Sequence, residues 1–199
     1  NGTAVIAPSQ TSMELDNGTI LSVNARTSKV SIKSYDNTIE SPVYKKASVR
    51  DRYNEMVMTF PAYKVIFRAY DEAVAYRFVS TLKKPFKVVN EQARLAMACD
   101  CDAFIPYVKG PKGANFTRQF WNSFENTYAE TKLSAWDPAR LAFLPLTMKN
   151  VNGYSVSITE SDLRDYPGMY VVNTDGDNSL ETVFAPSTKS ERQGGYNNI

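Results

Sequence analysis

Histidine is absent from this chain of 199 residues, and cysteine occurs only twice. Histidine is the usual base of Ser-His and Cys-His nucleophile systems and the usual proton carrier near neutral pH, so those classes of catalysis are excluded. A zinc site is disfavoured as well, because it needs about four nitrogen or sulfur ligands. Any catalysis by these residues would have to use carboxylates, lysine or tyrosine.

Charge of one sign and long apolar runs are also scarce. The formal net charge is +2, with acidic and basic residues interspersed, so no field exists that would attract nucleic acid or an anionic membrane. The longest basic cluster, residues 82–87, is short and contains a proline, which predicts a solvated loop. No apolar run approaches the ~18 residues of a membrane span, and the first residues show no charged and apolar leader. We therefore expect neither a nucleic-acid partner nor a membrane span.

The two cysteines lie close together in the sequence. Leu95, Met97, Cys99 and Cys101 alternate with smaller or polar residues, which predicts one face of a strand. Positions i and i+2 of a strand are poorly placed for a disulfide, whose Cα atoms lie ~4.4–6.8 Å apart. We expect two buried free thiols.

The chain is rich in β-branched and aromatic residues, including twelve tyrosines, arranged in short alternating runs. Turn signals separate these runs: residues 16–18 are Asp-Asn-Gly, 71–73 are Asp-Glu-Ala, and 152–153 are Asn-Gly. The pattern predicts an all-β fold, a large antiparallel two-sheet sandwich with few short helical turns. No linker interrupts the chain, so 1–199 is expected to form a single domain.

Residues 175–178, Asp-Gly-Asp-Asn, have the composition of a calcium-binding loop. Their spacing does not match an EF-hand loop, and no glutamate stands at the twelfth position of such a loop. Runs typical of strands flank them on both sides. We therefore interpret these residues as a hairpin turn.

Residues 119–128 combine four aromatic side chains with amides and an acid. This mix stacks on sugar rings and hydrogen-bonds to their hydroxyls. An aromatic core strand is the alternative interpretation, and the composition fits both. Trp121 and Glu125 are the candidate substrate-binding residues if the stretch contacts sugar.

The run ITESDLRDYPGMY, residues 158–170, places a carboxylate at the end of a strand. Residues 154–158 alternate between apolar and polar side chains, which predicts a half-buried strand that ends there. Thr159 can cap a short helical turn that ends at 166–168, so Glu160 would be the first residue inside it. An acid at that position is also favoured by the local dipole alone, which leaves a purely structural role open.

Four segments of the chain resemble the N-terminal domain of glycoside hydrolase family 97, the α-glucosidases and α-galactosidases of gut Bacteroidetes. In the order in which similar segments occur in that family, they are DRYNEMVMTF (51–60), VIFRAYDEAVAYRFV (65–79), FENTYAETKLS (124–134) and ITESDLRDYPGMY (158–170). The chain departs from the family at one hairpin tip, where Glu72 and Ala73 replace the usual aspartate and glycine. Alanine tolerates a positive φ poorly, so the turn type at that tip is left open.

The resemblance implies a β-super-sandwich related to galactose mutarotases, packed against a catalytic (β/α)8 barrel that follows in the full chain. It implies that the acid and base carboxylates lie on the barrel, together with most ligands of an active-site calcium ion. The family's sandwich contributes one glutamate to that ion, and Glu160 matches this glutamate by motif position. A loop carboxylate at a strand end can complete a calcium shell of roughly 6–8 oxygens. The resemblance further implies an α-linked oligosaccharide substrate for the parent enzyme and a periplasmic location.

Two other functions stay open, a free-standing carbohydrate-binding module that uses the aromatics of 121–128 and a structural or adhesion sandwich. Under the family interpretation we expect no glycosidase activity from this chain alone, because no pair of its carboxylates matches the acid and base roles. We also expect calcium binding by the chain alone to be weak or absent. The tail 187–199 is expected to be flexible, leaving an unpaired strand edge. Glu160 is expected to be solvent-accessible at the rim of the sandwich and to point away from the core.

Overall fold

The computed structural model describes residues 2–110, 112–113, 116–122, 124–164 and 166–186. Within these ranges the chain forms thirteen strands and two short 3-10 helices, named η1 and η2. The elements are β1 (Thr11–Leu15), β2 (Ile20–Leu21), β3 (Lys29–Glu40), β4 (Ser48–Thr59), β5 (Tyr63–Ala69), β6 (Val74–Ser80), β7 (Val88–Ala96), β8 (Asp102–Ile105), η1 (Phe116–Phe120), β9 (Ala129–Lys132), η2 (Leu133–Ala135), β10 (Leu146–Val151), β11 (Tyr154–Ile158), β12 (Met169–Val172) and β13 (Ser179–Phe184).

The strands pair antiparallel, and the predicted all-β class is confirmed. The chain separates into two compact units, unit 1 with residues up to 14 and from 88 onward, and unit 2 with residues Leu15–Lys87. The single domain over 1–199 stays a prediction, and the tail 187–199 lies outside the described residues. In the part of the chain that the structure describes, no helix is long and apolar enough to cross a membrane.

Unit 1 is a two-sheet sandwich. One sheet has the order β12-β13-β7-β1 and the other has the order β11-β10-β8-β9. The larger of two buried clusters among its described residues joins the two sheets and includes a residue of η2, so the main core of unit 1 lies between them. Its buried members are Met97, Cys101, Ala103, Ile105, Tyr107, Leu133, Trp136, Ala142, Leu146, Met148, Val151, Val171 and Leu180.

The hairpin of β10 and β11 shows how local sequence determines this packing. Asn152 and Gly153 form its tip with φ of 49° and 88°, the left-handed conformations that an Asn-Gly turn supplies. The register pairs Leu146 with Ile158 and Met148 with Val156, so the apolar side chains of both strands share the core face. The strand predicted to end at Ile158 is confirmed.

The strand predicted through both cysteines is wrong. β7 ends at Ala96 and β8 begins at Asp102, with a bend between them. Asp100 causes the interruption, because its carboxylate accepts hydrogen bonds from the backbone N–H and hydroxyl of Ser134 at 3.0 and 2.8 Å. Both thiols are free; Cys101 is buried, and Cys99 is only partly buried. Burial raises the pKa of the Cys101 thiol to about 11.

Unit 2 contains a four-stranded sheet in the order β3-β4-β5-β6. The tip between β5 and β6 closes with a hydrogen bond from the Tyr70 N–H to the Ala73 carbonyl at 2.8 Å. Ala73 is not among the residues with positive φ, so this four-residue turn avoids the conformation that alanine disfavours. Arg68 packs over the Tyr53 ring at 4.3 Å and pairs with Glu55 at 2.9 Å, a structural role.

Two further loop predictions are confirmed. Residues 175–178 lie in the turn between β12 and β13, and Gly176 has φ of 66°. The carboxylates of Asp175 and Asp177 accept hydrogen bonds from the Arg94 guanidinium at 2.9 and 2.6 Å, so they pair with a cation of the protein itself. The basic cluster 82–87 is an exposed loop.

Candidate functional site

The loop 159–168 carries Glu160 from β11 in one sheet of unit 1 to β12 in the other. The backbone N–H of Met169 donates to both carboxylate oxygens of Glu160, at 2.9 Å to Oε1 and 3.0 Å to Oε2. The predicted helical turn capped by Thr159 is wrong: residues 159–163 have no helical structure, and Asp162 adopts φ of 57°. The hydrogen bonds between Glu160 and Met169 therefore connect the start of the loop to its end.

The Glu160 side chain is half-buried, which corrects the expectation of a solvent-accessible carboxylate. It folds back onto Met169 because a backbone donor is available there. Loss of hydration raises the pKa of Glu160, the Met169 N–H opposes this shift, and the nearby charge of Glu91 adds to it. Within the described residues the carboxylate forms no ion pair. A partly desolvated carboxylate that still has unused acceptor lone pairs is stabilised when a cation binds to it.

Glu91 and Tyr166 form a second contact of the same loop. The Tyr166 hydroxyl donates to Glu91 Oε2 on β7 at 2.6 Å. The Tyr166 ring meets Phe184 of β13 edge-on, with 5.8 Å between ring centroids. The loop is thus attached to the sheet at a point separate from Glu160.

Tyr170 connects Glu160 with the aromatic stretch 119–128. Its side chain is buried, with Phe120 edge-on at 5.3 Å and Phe124 stacked at 6.5 Å. Burial raises the pKa of Tyr170, a hydrogen bond with the Asn122 side chain opposes this, and the charge of Glu160 raises the pKa further. The two regions that the sequence singles out separately therefore adjoin in unit 1.

The stretch 119–128 is not a core strand, so that alternative is wrong. Its first two residues end η1, and its described residues after that form no helix or strand; among them Trp121, Phe124 and Tyr128 are 38%, 53% and 50% exposed. Glu125 is exposed as well. The structure therefore places both candidate substrate-binding residues on the surface.

Amide side chains hold this irregular segment in place. The buried Gln119 donates from Nε2 to the Ala139 carbonyl and accepts from the Leu141 N–H, both at 2.8 Å. Asn126 Nδ2 donates to the Tyr107 carbonyl at 2.9 Å. An irregular backbone needs such partners, because buried polar groups without them are costly.

Asn122 organises the centre of the segment. Its Nδ2 donates to the Gln119 carbonyl at 3.0 Å, and its Oδ1 accepts from the Phe124 N–H at 3.1 Å. Phe124 has φ of 57°, which is uncommon for an aromatic residue, and its ring packs edge-on against Phe143 at 4.9 Å. A strained backbone that presents an exposed ring is typical of functional surfaces.

A complete metal site is not assembled by the part of the chain that the structure describes. No group of three or more His, Cys, Asp or Glu residues in these ranges could hold an ion. Glu160 fits the role of a single oxygen ligand, since carboxylates are preferred by calcium. The remaining oxygens of a calcium shell would have to come from elsewhere.

Sequence analysis missed Glu91, Tyr166 and Tyr170 as members of this site. Tyr166 and Tyr170 lie in the recognised run 158–170, so a motif signal existed for them. Glu91 lies 75 positions before Tyr166 in an ordinary strand, and no local pattern distinguishes it.

Comparisons with known proteins agree with this architecture. The family described as Glycosyl-hydrolase 97 N-terminal matches residues 1–194. A retaining alpha-galactosidase from Bacteroides thetaiotaomicron is 45% identical over 200 residues, an alignment that covers 100% of this chain and 30% of the relative. The chain thus spans less than a third of that relative's length.

Solved structures show the same fold. A glycoside hydrolase family 97 enzyme from Pseudoalteromonas sp. strain K8, in complex with acarbose, superimposes with a TM-score of 0.74 at 26% identity, covering 92% of this chain and 27% of that enzyme. A beta-arabinopyranosidase has a TM-score of 0.77 over 99% of this chain and 32% of its own, and at 20% identity this likeness concerns the fold alone. The chain belongs to the N-terminal domain family of the glycosyl hydrolase 97 enzymes.

Proposed function

We propose that this chain is the N-terminal sandwich of a family 97 α-glycosidase, that it packs on a catalytic (β/α)8 barrel of the same polypeptide, and that Glu160 supplies one carboxylate to a calcium ion at the active site. The observation that carries the proposal is the state of Glu160. Its carboxylate is half-buried, held by the Met169 N–H, and unpaired with any cation of the described residues.

The electrostatics of the site support a divalent cation there. Burial and the charge of Glu91 raise the pKa of Glu160, which means that they destabilise its ionised form relative to its protonated form. A bound cation would offset both effects, because it compensates for lost hydration and attracts both carboxylates. Calcium takes roughly 6–8 oxygen ligands, and most of them would come from the barrel.

The family and its relatives support a proposal for the substrate class. We propose an α-linked oligosaccharide as substrate of the parent enzyme and the periplasm as its location. The relative at 45% identity is named a retaining alpha-galactosidase, which makes an α-galactoside the first substrate to test.

The test is calcium titration of the full-length protein by isothermal calorimetry after chelation, comparing wild type with Glu160→Gln. Glutamine keeps the shape but removes the charge, so the affinity should fall by at least about tenfold. Glu130→Gln is the matched control, because Glu130 is an exposed glutamate on β9 of the same unit. Unchanged calcium affinity in Glu160→Gln would refute the proposed role.

A carbohydrate-binding module is the second candidate, favoured by the exposed rings of Trp121 and Tyr128. Calorimetric titration of this chain with α-linked oligosaccharides separates the two functions. A module would bind them, and Trp121→Ala would abolish binding while Tyr154→Ala, at an exposed tyrosine on β11, would not. The enzyme-domain proposal predicts little binding by the chain alone.

A further inference from the structure

The loop 159–168 is attached to the sandwich at two points with different chemistry. At its neck, the Met169 N–H donates to both oxygens of Glu160. Near its far end, the Tyr166 hydroxyl donates to Glu91 at 2.6 Å, and the Tyr166 ring contacts Phe184. The second attachment joins the loop to two hydrogen-bonded strands of one sheet, because β7 carries Glu91, β13 carries Phe184, and the two strands pair directly.

The described residues between the two attachments, 161–164, show no contact that anchors the loop to the sheet. Residues 161–164 are exposed, and Leu163 is 50% exposed despite being apolar. Arg164 pairs with Asp162 at 2.8 Å, which is a contact inside the loop itself and does not tie it to the sheet. Among the described residues of the loop, the contacts with the sheet are therefore those of Glu160 and Tyr166.

We propose that Tyr166 and Glu91 are positioning residues that hold the loop so that the Glu160 carboxylate remains on the Met169 N–H and presents its free lone pairs outward. The step from a fixed carboxylate to metal binding rests on the proposed function. Neither Tyr166 nor Glu91 needs to touch the metal or the substrate. Their effect acts through the loop.

The physical reason is preorganisation. A glutamate side chain has several rotatable bonds and loses their freedom when it binds a metal. A carboxylate that is already fixed by a backbone donor and a tethered loop has lost that freedom beforehand, so metal affinity is higher. The tether also adds a strong hydrogen bond, because a hydroxyl that donates to a carboxylate is charge-assisted.

The test is hydrogen–deuterium exchange of the Met169 amide in the full-length protein, resolved to single residues by electron-transfer fragmentation. Tyr166→Phe removes the hydroxyl and keeps the ring against Phe184, so we expect exchange at Met169 to accelerate about fivefold. Exchange at Val171, whose N–H donates to the Ala142 carbonyl at 2.9 Å, should stay unchanged. Tyr154→Phe is the matched control and should change neither amide.

Substitutions at Glu91 test whether Tyr166 acts through it. Glu91→Ala removes the acceptor and should reproduce the effect of Tyr166→Phe, whereas Glu91→Gln keeps an oxygen acceptor and should stay closer to wild type. The double variant Tyr166→Phe with Glu91→Ala should exchange at Met169 no faster than either single variant, because both break the same bond. Additive acceleration in the double variant would overturn the inference.

Two further outcomes are decisive. The inference is wrong if Met169 exchange is unchanged in Tyr166→Phe, or if Met169 and Val171 accelerate together, since the latter indicates a loss of global stability. Calcium affinity of the same variants separates this inference from the proposed function. If calcium affinity falls in Glu160→Gln and stays unchanged in Tyr166→Phe, the positioning role alone is refuted. If Met169 exchange accelerates in Tyr166→Phe and calcium affinity is unchanged in Glu160→Gln, the metal role alone is refuted.

Discussion

Replacing Gln119 by leucine should destabilise unit 1 by about 1.5–4.5 kcal/mol, although leucine matches the side chain in size. Gln119 is fully buried and makes two hydrogen bonds to backbone groups, one as donor and one as acceptor. It also packs against Gly110, where a Cβ would come within 3.1 Å of the Gln119 Cα. The amide thus supports the start of the aromatic stretch and its close approach to a neighbouring loop.

The magnitude follows from what each lost bond leaves behind. The Leu141 N–H would lose its partner at a residue that is fully buried, which typically costs about 1–3 kcal/mol. The Ala139 carbonyl would lose Gln119 but keep the Gly113 N–H at 3.1 Å, so this loss costs only about 0.5–1.5 kcal/mol. The two terms together give the expected range.

The assay is urea unfolding of this chain, followed by circular dichroism and by tryptophan fluorescence, to which the buried Trp136 of the same unit contributes. Gln92→Leu is the matched control, because Gln92 is exposed on β7 and its replacement should change the free energy of unfolding by no more than ~0.5 kcal/mol. If Gln119→Leu unfolds within that same margin of wild type, the assignment of Gln119 as a structural anchor is refuted.

Three other outcomes are expected. Iodoacetamide at about pH 8 should label Cys99 well before Cys101, because burial raises the Cys101 pKa to about 11 and blocks access; equal labelling by mass spectrometry would contradict this. Gly153→Ala should lower the free energy of unfolding by roughly 1 kcal/mol, since φ is 88° with no atom within 4 Å of an added Cβ, so the cost is purely conformational; an unchanged urea midpoint would contradict it. The chain alone should not hydrolyse nitrophenyl α-galactoside, and turnover that a carboxylate substitution abolishes would overturn that expectation.

Local signals predicted the strands and hairpins of this fold well. The period-two alternation of 154–158 and the Asn-Gly tip at 152–153 are short-range features, and the structure has both where the sequence places them. The predictions failed where a distant partner changed the backbone. Asp100 bonds to Ser134 and interrupts the strand expected through the cysteines. Gln119 is hydrogen-bonded to the backbone of Ala139 and Leu141, and the start of the aromatic stretch therefore does not pair as a β-strand.

At the candidate site, too, the local sequence predicted where a residue lies, and a distant contact decided its conformation. Glu160 was identified by a motif, and its position two residues after the end of a strand was correct. Its conformation was not predictable, because a capped helical turn and a folded-back carboxylate are both locally reasonable for Thr159 and Glu160. The deciding contact comes from Met169, nine residues later, and from the route of the loop between two sheets.

The choice of a backbone donor for Glu160, instead of a lysine or arginine, bears on whether the residue can serve a metal. An ion pair would satisfy the carboxylate and would have to be broken before a cation could bind, so metal affinity would fall. The Met169 N–H fixes the orientation of the carboxylate without neutralising its charge. Burial and the neighbouring Glu91 destabilise the ionised carboxylate, which raises the pKa of Glu160. A bound cation would therefore stabilise this carboxylate more than it would a solvated one. A purely structural acid would be expected to show the opposite arrangement, as Glu55 does with Arg68 at 2.9 Å.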